Sequence, residues 1–205
     1  LKTYCFILSH EGAGSHLLAR ILNSTKKVAC LTDSHIAYAG PESLETLNYV
    51  IKNHPCINDD LPIYCDTLNH NTDLYYNNLF DFCKIIFLTR QPEPTLKAIA
   101  TKNAYNYYRF RLRRLYEYSK KAKNSICITY DEIVNRQCFP LIESFLNIKD
   151  PISDYYEAWP TDGGELSEGK ILRNIKQPNV YVPVIQSNKY ERYLNAIRRN
   201  SGNFM

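Results

Sequence analysis

Apolar positions along the chain follow two spacings. From Thr3 to Leu8 (T-Y-C-F-I-L) they form a short run rich in aromatic and branched side chains, followed by the polar stretch S-H-E-G-A-G-S. Leu17, Leu18, Ile21 and Leu22 then recur at helical spacing. The pattern predicts strand, glycine loop, helix. Short apolar runs return at Val28–Leu31, Pro62–Cys65, Ile85–Leu88 and Ile126–Thr129, with helical periodicity over Leu44–Lys52 and Glu132–Leu146. Alternating strands and helices predict an α/β fold, a central parallel sheet flanked by helices. Asn103–Lys123 places Tyr105, Tyr108, Leu112 and Leu115 at helical spacing, so one amphipathic helix is expected, its other faces basic. Between Pro151 and Pro183 the periodicity dissolves into Pro, Gly and polar residues, and Asn188–Arg199 reads as a closing helix. No internal repeat or domain boundary stands out, so residues 1–205 are expected to form a single domain.

Composition narrows the classes. Hydrophobic residues make up 44% of the 205 and charged ones 22%, which predicts a packed fold and excludes a disordered, collagen-like or coiled-coil chain. The formal charge is only +4, so a local anion site is expected rather than a basic coat, and nucleic acid is not the expected partner. Seven scattered cysteines with no C-x-x-C pair point to neither a disulfide framework nor a zinc site, and the expected compartment is the cytoplasm. No apolar run reaches the ~18–20 residues a membrane span needs.

The candidate chemistry begins with glycine. Of seven glycines, Gly12 and Gly14 lie in the first loop, and Gly163, Gly164 and Gly169 cluster late. A glycine loop between a buried strand and a helix N-terminus lets backbone N–H groups approach a phosphate or sulfate. A tight turn without a ligand is the alternative. The loop is not a Walker A motif, since no lysine precedes Ser15, nor G-x-G-x-x-G, since Leu17 replaces the third glycine. A second signal is K-I-I-F-L-T-R-Q-P, where Arg90 follows the carboxyl end of a strand and Pro92 opens a helix. Ligands of open α/β sheets bind at that edge, where arginine can grip a phosphate bidentately.

Four stretches in order resemble the sulfotransferases that use 3′-phosphoadenosine 5′-phosphosulfate (PAPS). Gly14–Leu22 is similar to the 5′-phosphosulfate loop and its helix, and Phe87–Leu96 to the strand, arginine and proline of the 3′-phosphate site. Ile128–Val134 resembles the Tyr-Glu-Asp-Leu segment and Pro140–Ile148 the helix after it. The resemblance implies a P-loop-like three-layer sandwich. It implies sulfuryl transfer from PAPS to a hydroxyl of a glycan or small-molecule acceptor, leaving PAP. The implied cofactor contacts are Gly12, Ala13, Gly14, Ser15, His16, Leu17, Arg90, Ala98 and Tyr130, with Gly169 and Lys170 from the late segment. Gly12 stands where the family has Lys or Arg, and Ala98 where it has serine. His10 and His16 flank the loop and either could replace the missing cation. Relatives carry their base beyond the second strand, where Asp33, with His35 second, would be the catalytic group. No metal is implied. The other readings are a nucleotide- or nucleic-acid-binding protein impaired in catalysis on the same fold, and an atypical P-loop kinase. In the basic helix Arg109 and Arg113 form the pair most suited to an anionic acceptor, though its charges are expected to run around the helix and be solvated. His54 and His70 read as surface residues, Trp159 as packing, and Tyr130, Asp131 and Glu132 as a helix start.

Overall fold

The computed structural model describes residues 2–32, 45, 49, 52–53, 61–68, 79–99, 104–153, 155–158, 171–174 and 188–202. The strands are β1 (Thr3–Ser9), β2 (Val28–Thr32), β3 (Ile63–Leu68), β4 (Lys84–Thr89), β5 (Ser125–Thr129), β6 (Tyr155–Ala158) and β7 (Ile171–Asn174). The helices are α1 (Ser15–Ser24), α2 (Leu79–Phe82), α3 (Pro92–Ile99), α4 (Ala104–Ser119), α5 (Tyr130–Val134), α6 (Phe139–Leu146) and α7 (Asn188–Asn200).

The first five strands form one parallel sheet in the order β2-β3-β1-β4-β5, so the fold is α/β as the apolar spacing predicts. β1 lies at its centre and is apolar on both faces, as a sheet covered on both sides requires. Tyr4, Phe6 and Leu8 face a core completed by Tyr108, Leu112 and Leu115 of α4 and Tyr190, Leu194 and Ile197 of α7. Cys5 and Ile7 face the opposite core, built on Leu18, Ile21 and Leu22 of α1 and Ile142 and Leu146 of α6. All five carboxyl ends meet one edge, and on either side of β1 the chain continues in opposite directions. Cys5, Cys30, Cys65, Cys83, Cys127 and Cys138 are all buried. Among the described residues no helix is long and apolar enough to cross a membrane.

Three sequence expectations differ in detail. Glu132–Leu146 is two helices, because Arg136 takes a left-handed conformation (φ 62°) and Pro140, lacking an N–H, suits the first turn of a new helix. The long basic helix stops at Ser119. Within the stretch expected to be irregular, β6 and β7 pair antiparallel, Tyr155 opposite Asn174. Four-residue strands are too short to show a period.

The outer strand β2 is clasped by α1. Asn23, in the last turn of α1, donates from Nδ2 to the Cys30 carbonyl (2.8 Å) and accepts the Cys30 N–H on Oδ1 (2.7 Å). One amide side chain thus satisfies both backbone groups of a residue that β3 does not pair on that side. Asn23→Ala should cost about 1–3 kcal/mol. Hydrogen exchange at Cys30 should accelerate while exchange in β1 is unchanged, which a denaturation curve and exchange mass spectrometry would check together.

Candidate anion-binding site

Register brings the two motifs of the sequence together. Ser9, the last residue of β1, lies beside Leu88 of β4, so His10 and Arg90 leave the sheet side by side. The Arg90 backbone N–H donates to His10 Nε2 at 3.0 Å, and His10 Nδ1 lies 3.0 Å from the Glu11 carbonyl. An accepting Nε2 puts the proton on Nδ1, which donates to Glu11. The ring is fully buried, and burial drives its pKa down to about 4; the Glu11 carbonyl opposes this, and the cations Arg111 and Arg90 add to it. His10 is therefore neutral near pH 7 with both nitrogens engaged. It ties the loop to β4 instead of carrying the charge expected beside the loop.

Helix α4 closes over this junction. The Tyr108 ring meets the His10 ring edge to face at 4.9 Å, and its hydroxyl donates to the Arg90 carbonyl at 3.0 Å. One turn on, Arg111 is 3% exposed and donates from Nη2 to the Ser9 carbonyl at 3.2 Å. The basic residues of α4 are thus sorted: Arg111 points inward, Arg114 is half-buried, and Arg109 and Arg113 are exposed with Phe110, itself 46% exposed.

The loop itself turns on two left-handed glycines, Gly12 (φ 73°) and Gly14 (φ 96°). The Ala13 N–H closes a turn onto the His10 carbonyl at 3.2 Å, and Gly14 caps α1, its carbonyl accepting from Leu18 N–H at 3.1 Å. Among the described residues no side chain caps the helix. The N–H groups of Ser15, His16 and Leu17 precede the first helical bond and find no carbonyl within the helix. Ser15 is buried and His16 exposed.

Arg90 stands over this opening. Its guanidinium lies 4.0 Å from the centre of the Tyr130 ring, Nη1 donates to the Gly12 carbonyl at 3.1 Å, and Nε is buried without a hydrogen-bond partner among the described residues. Tyr130 also packs against Gly14 so closely that a Cβ there would come 2.5 Å from its Cδ2. Tyr130 opens α5, whose start is fixed by a capping box: Thr129 N–H donates to Glu132 Oε2 at 2.7 Å, and Glu132 N–H donates to Thr129 Oγ1 at 3.3 Å. The other Glu132 oxygen accepts from Arg198 of α7 at 2.5 Å. Tyr190 of α7 places its hydroxyl 3.3 Å from Thr89 Oγ1, one residue before Arg90. Burial holds the neighbouring Asp131 carboxyl above its ordinary range, with Arg90 opposing and Glu132 adding.

The structure therefore gathers Gly12, Ala13, Gly14, Ser15, His16, Leu17, Arg90 and Tyr130 at one sheet edge. Ala98 lies in α3, of whose side chain there nothing is described. Asp33, His35, Gly169 and Lys170 lie outside the described residues, as do His54, His70 and Trp159. Asp33 directly follows Thr32, the end of β2. Tyr108 and Arg111 join the site without having been singled out. Their signal was an arginine at a core spacing of the helix, three residues after Tyr108 and four before Leu115.

No family model matches the chain, and no curated protein matches it. It is similar to the crystal structure of mouse sulfotransferase SULT7A1 complexed with PAP, at 17% identity and a TM-score of 0.48, over 72% of this chain and 60% of that one. It is also similar to retinol dehydratase in complex with androsterone and the inactive cofactor PAP, at 14% identity and a TM-score of 0.41, over 75% and 62%. The chain spans about three fifths of the length of these structures.

Two outcomes are expected of substitutions here. Gly14→Ala forces a Cβ into the Tyr130 ring at a left-handed position and should destabilise the fold by roughly 1–3 kcal/mol. Adding Tyr130→Ala should recover the steric part and leave the backbone strain, a coupling that a double-mutant cycle measures. For His10, the ring is neutral in both states above pH 6.5 and contributes no pH dependence there. Below 6.5 the unfolded chain takes up a proton that the buried ring resists until about pH 4, so stability falls across that window. The loss reaches at most about 3 kcal/mol. His10→Gln should lose that part of the acid dependence, read from urea midpoints at pH 7 and 4.5.

Proposed function

We propose that the chain is a PAPS-dependent sulfotransferase acting on a hydroxyl of a glycan or small molecule. The observation that carries this reading is the meeting of Arg90 with the glycine loop, a cation with a spare buried donor, Nε, stacked on Tyr130 at the open N-terminus of α1. That donor set suits an anion with two separated charged groups, one for the amides and one for the guanidinium.

In this reading the N–H groups of Gly14, Ser15, His16 and Leu17 hold the 5′-phosphosulfate, with Gly12 and Ala13 shaping the turn, and Arg90 holds the 3′-phosphate. Ala98, Gly169 and Lys170 complete the nucleotide contacts. PAPS, when bound, supplies an activated sulfuryl group whose leaving group is the phosphate of PAP. The chain's own part is to orient that anion and to stabilise charge that grows on it. Fixed amides do so without reorganising. Tyr130 keeps the guanidinium plane facing the loop, and His10 and Tyr108 lock the Arg90 backbone. The exposed His16 lies beside the loop amides and offers an N–H to the same anion. Asp33, or His35 after it, comes next in the sequence after β2 and takes the acceptor's proton.

Calorimetric titration with 3′,5′-adenosine bisphosphate against 5′-ADP and ATP tests the reading, because the 3′-phosphate distinguishes this cofactor. Wild type should prefer the bisphosphate, and Arg90→Ala should weaken it by about ten- to a hundredfold, the worth of a hydrogen-bonded charge pair. Preference for ATP, or no binding, overturns it.

A further inference from the structure

An anion loop needs positive potential, and this one has no cation of its own. Between Ser9 and Leu17 there is no Lys or Arg, while Glu11 is present. The carboxyl edge of a parallel sheet also turns backbone carbonyls toward the space above it. We propose that Arg111 is a positioning residue of the site, whose guanidinium, buried beneath the loop, supplies the positive potential that draws a phosphate or sulfate group onto the α1 amides. The inference rests on the loop being an anion site, as the proposed function holds.

Three observations carry it. Arg111 occupies the apolar face of α4, in line with Tyr108, Leu115 and Tyr118, all buried. A methionine would fill that place without the several kcal/mol that burying an ion costs, so the charge is expensive there and a packing role does not call for it. Its Nη2 donates to the carbonyl of Ser9, the residue on which the loop begins, and so offsets the dipole that would repel an incoming anion. Its field reaches the loop: Arg111 and Arg90 both disfavour a proton on His10, the next residue. The exposed Arg109 and Arg113 of the same helix are screened by water, whereas a buried charge is screened much less. Arg111 acts through the loop and does not itself hold the ligand.

The test compares Arg111→Lys, which keeps the charge, with Arg111→Met, which keeps the bulk, using 3′,5′-adenosine bisphosphate and inorganic sulfate as probes. Arg111→Met should weaken both by on the order of tenfold, as loss of one nearby charge at an effective dielectric near 20 implies. Arg111→Lys should stay within about threefold of wild type. The His10 imidazole midpoint, followed by NMR, should rise in Arg111→Met and hold in Arg111→Lys, a readout that loss of packing would not sort by charge. Unchanged binding in Arg111→Met overturns the inference. So does an equal loss in both variants that tracks their melting temperatures, which would make Arg111 a packing residue. If wild type ignores the bisphosphate but binds sulfate in an Arg111-dependent way, the cofactor reading fails and the inference stands. If neither anion binds, both fail.

Discussion

A single hydrogen bond between backbone and imidazole, from the Arg90 N–H to His10 Nε2, sets the terms for everything around it. It joins the first residues beyond two neighbouring strands, β1 and β4, at the point where the sheet can no longer join them. It exists only while Nε2 is unprotonated, since a charged ring would set one N–H against another. The surroundings enforce that state. The ring is fully buried under Tyr108 and lies in the field of two arginines. The same environment that makes His10 useless as a cation makes it dependable as an acceptor.

Held this way, the strand ends are braced from the two helices behind the sheet. Tyr108 and Arg111, one turn apart on α4, reach the carbonyls of Arg90 and Ser9. From α7, Tyr190 reaches Thr89 and Arg198 reaches Glu132, which fixes the start of the short helix bearing Tyr130. Four side chains on two helices thus determine where the Arg90 guanidinium lies relative to the Gly12–Gly14 turn. Side chains locked by packing and hydrogen bonding hold a ligand geometry better than a loop can alone.

The parts legible in the sequence are those governed by local rules. Central parallel strands are apolar on both faces, so β1, β4 and β5 stand out as short runs, and β1, Gly12, Gly14 and α1 are adjacent enough to announce a strand, turn and helix. Arg90 was legible because it sits at a strand end before a helix-opening proline. Contacts across the chain were not. That Tyr130 presses on Gly14, 116 positions away in sequence, follows from β5 lying two strands from β1, and no spacing rule encodes it. The inward turn of Arg111 was hidden because six other Lys and Arg residues surround it in the stretch from Arg109 to Lys123, so composition read as a solvated helix. His10 looked like a charge carrier because an imidazole titrates near neutrality in water, and only its burial says otherwise.

The amide clasp of Asn23 bears on how the molecule behaves in company. Among the described residues β2 is an edge, and an edge strand offers unpaired N–H and C=O groups to any extended chain it meets. At Cys30, midway along the five-residue strand, both outward groups are already occupied by Asn23. A foreign strand seeking to extend the sheet would have to displace a bonded amide from the middle of the edge and leave α1 with a stranded side chain. The helix that opens the anion site at its N-terminus therefore closes the sheet to outsiders at its C-terminus.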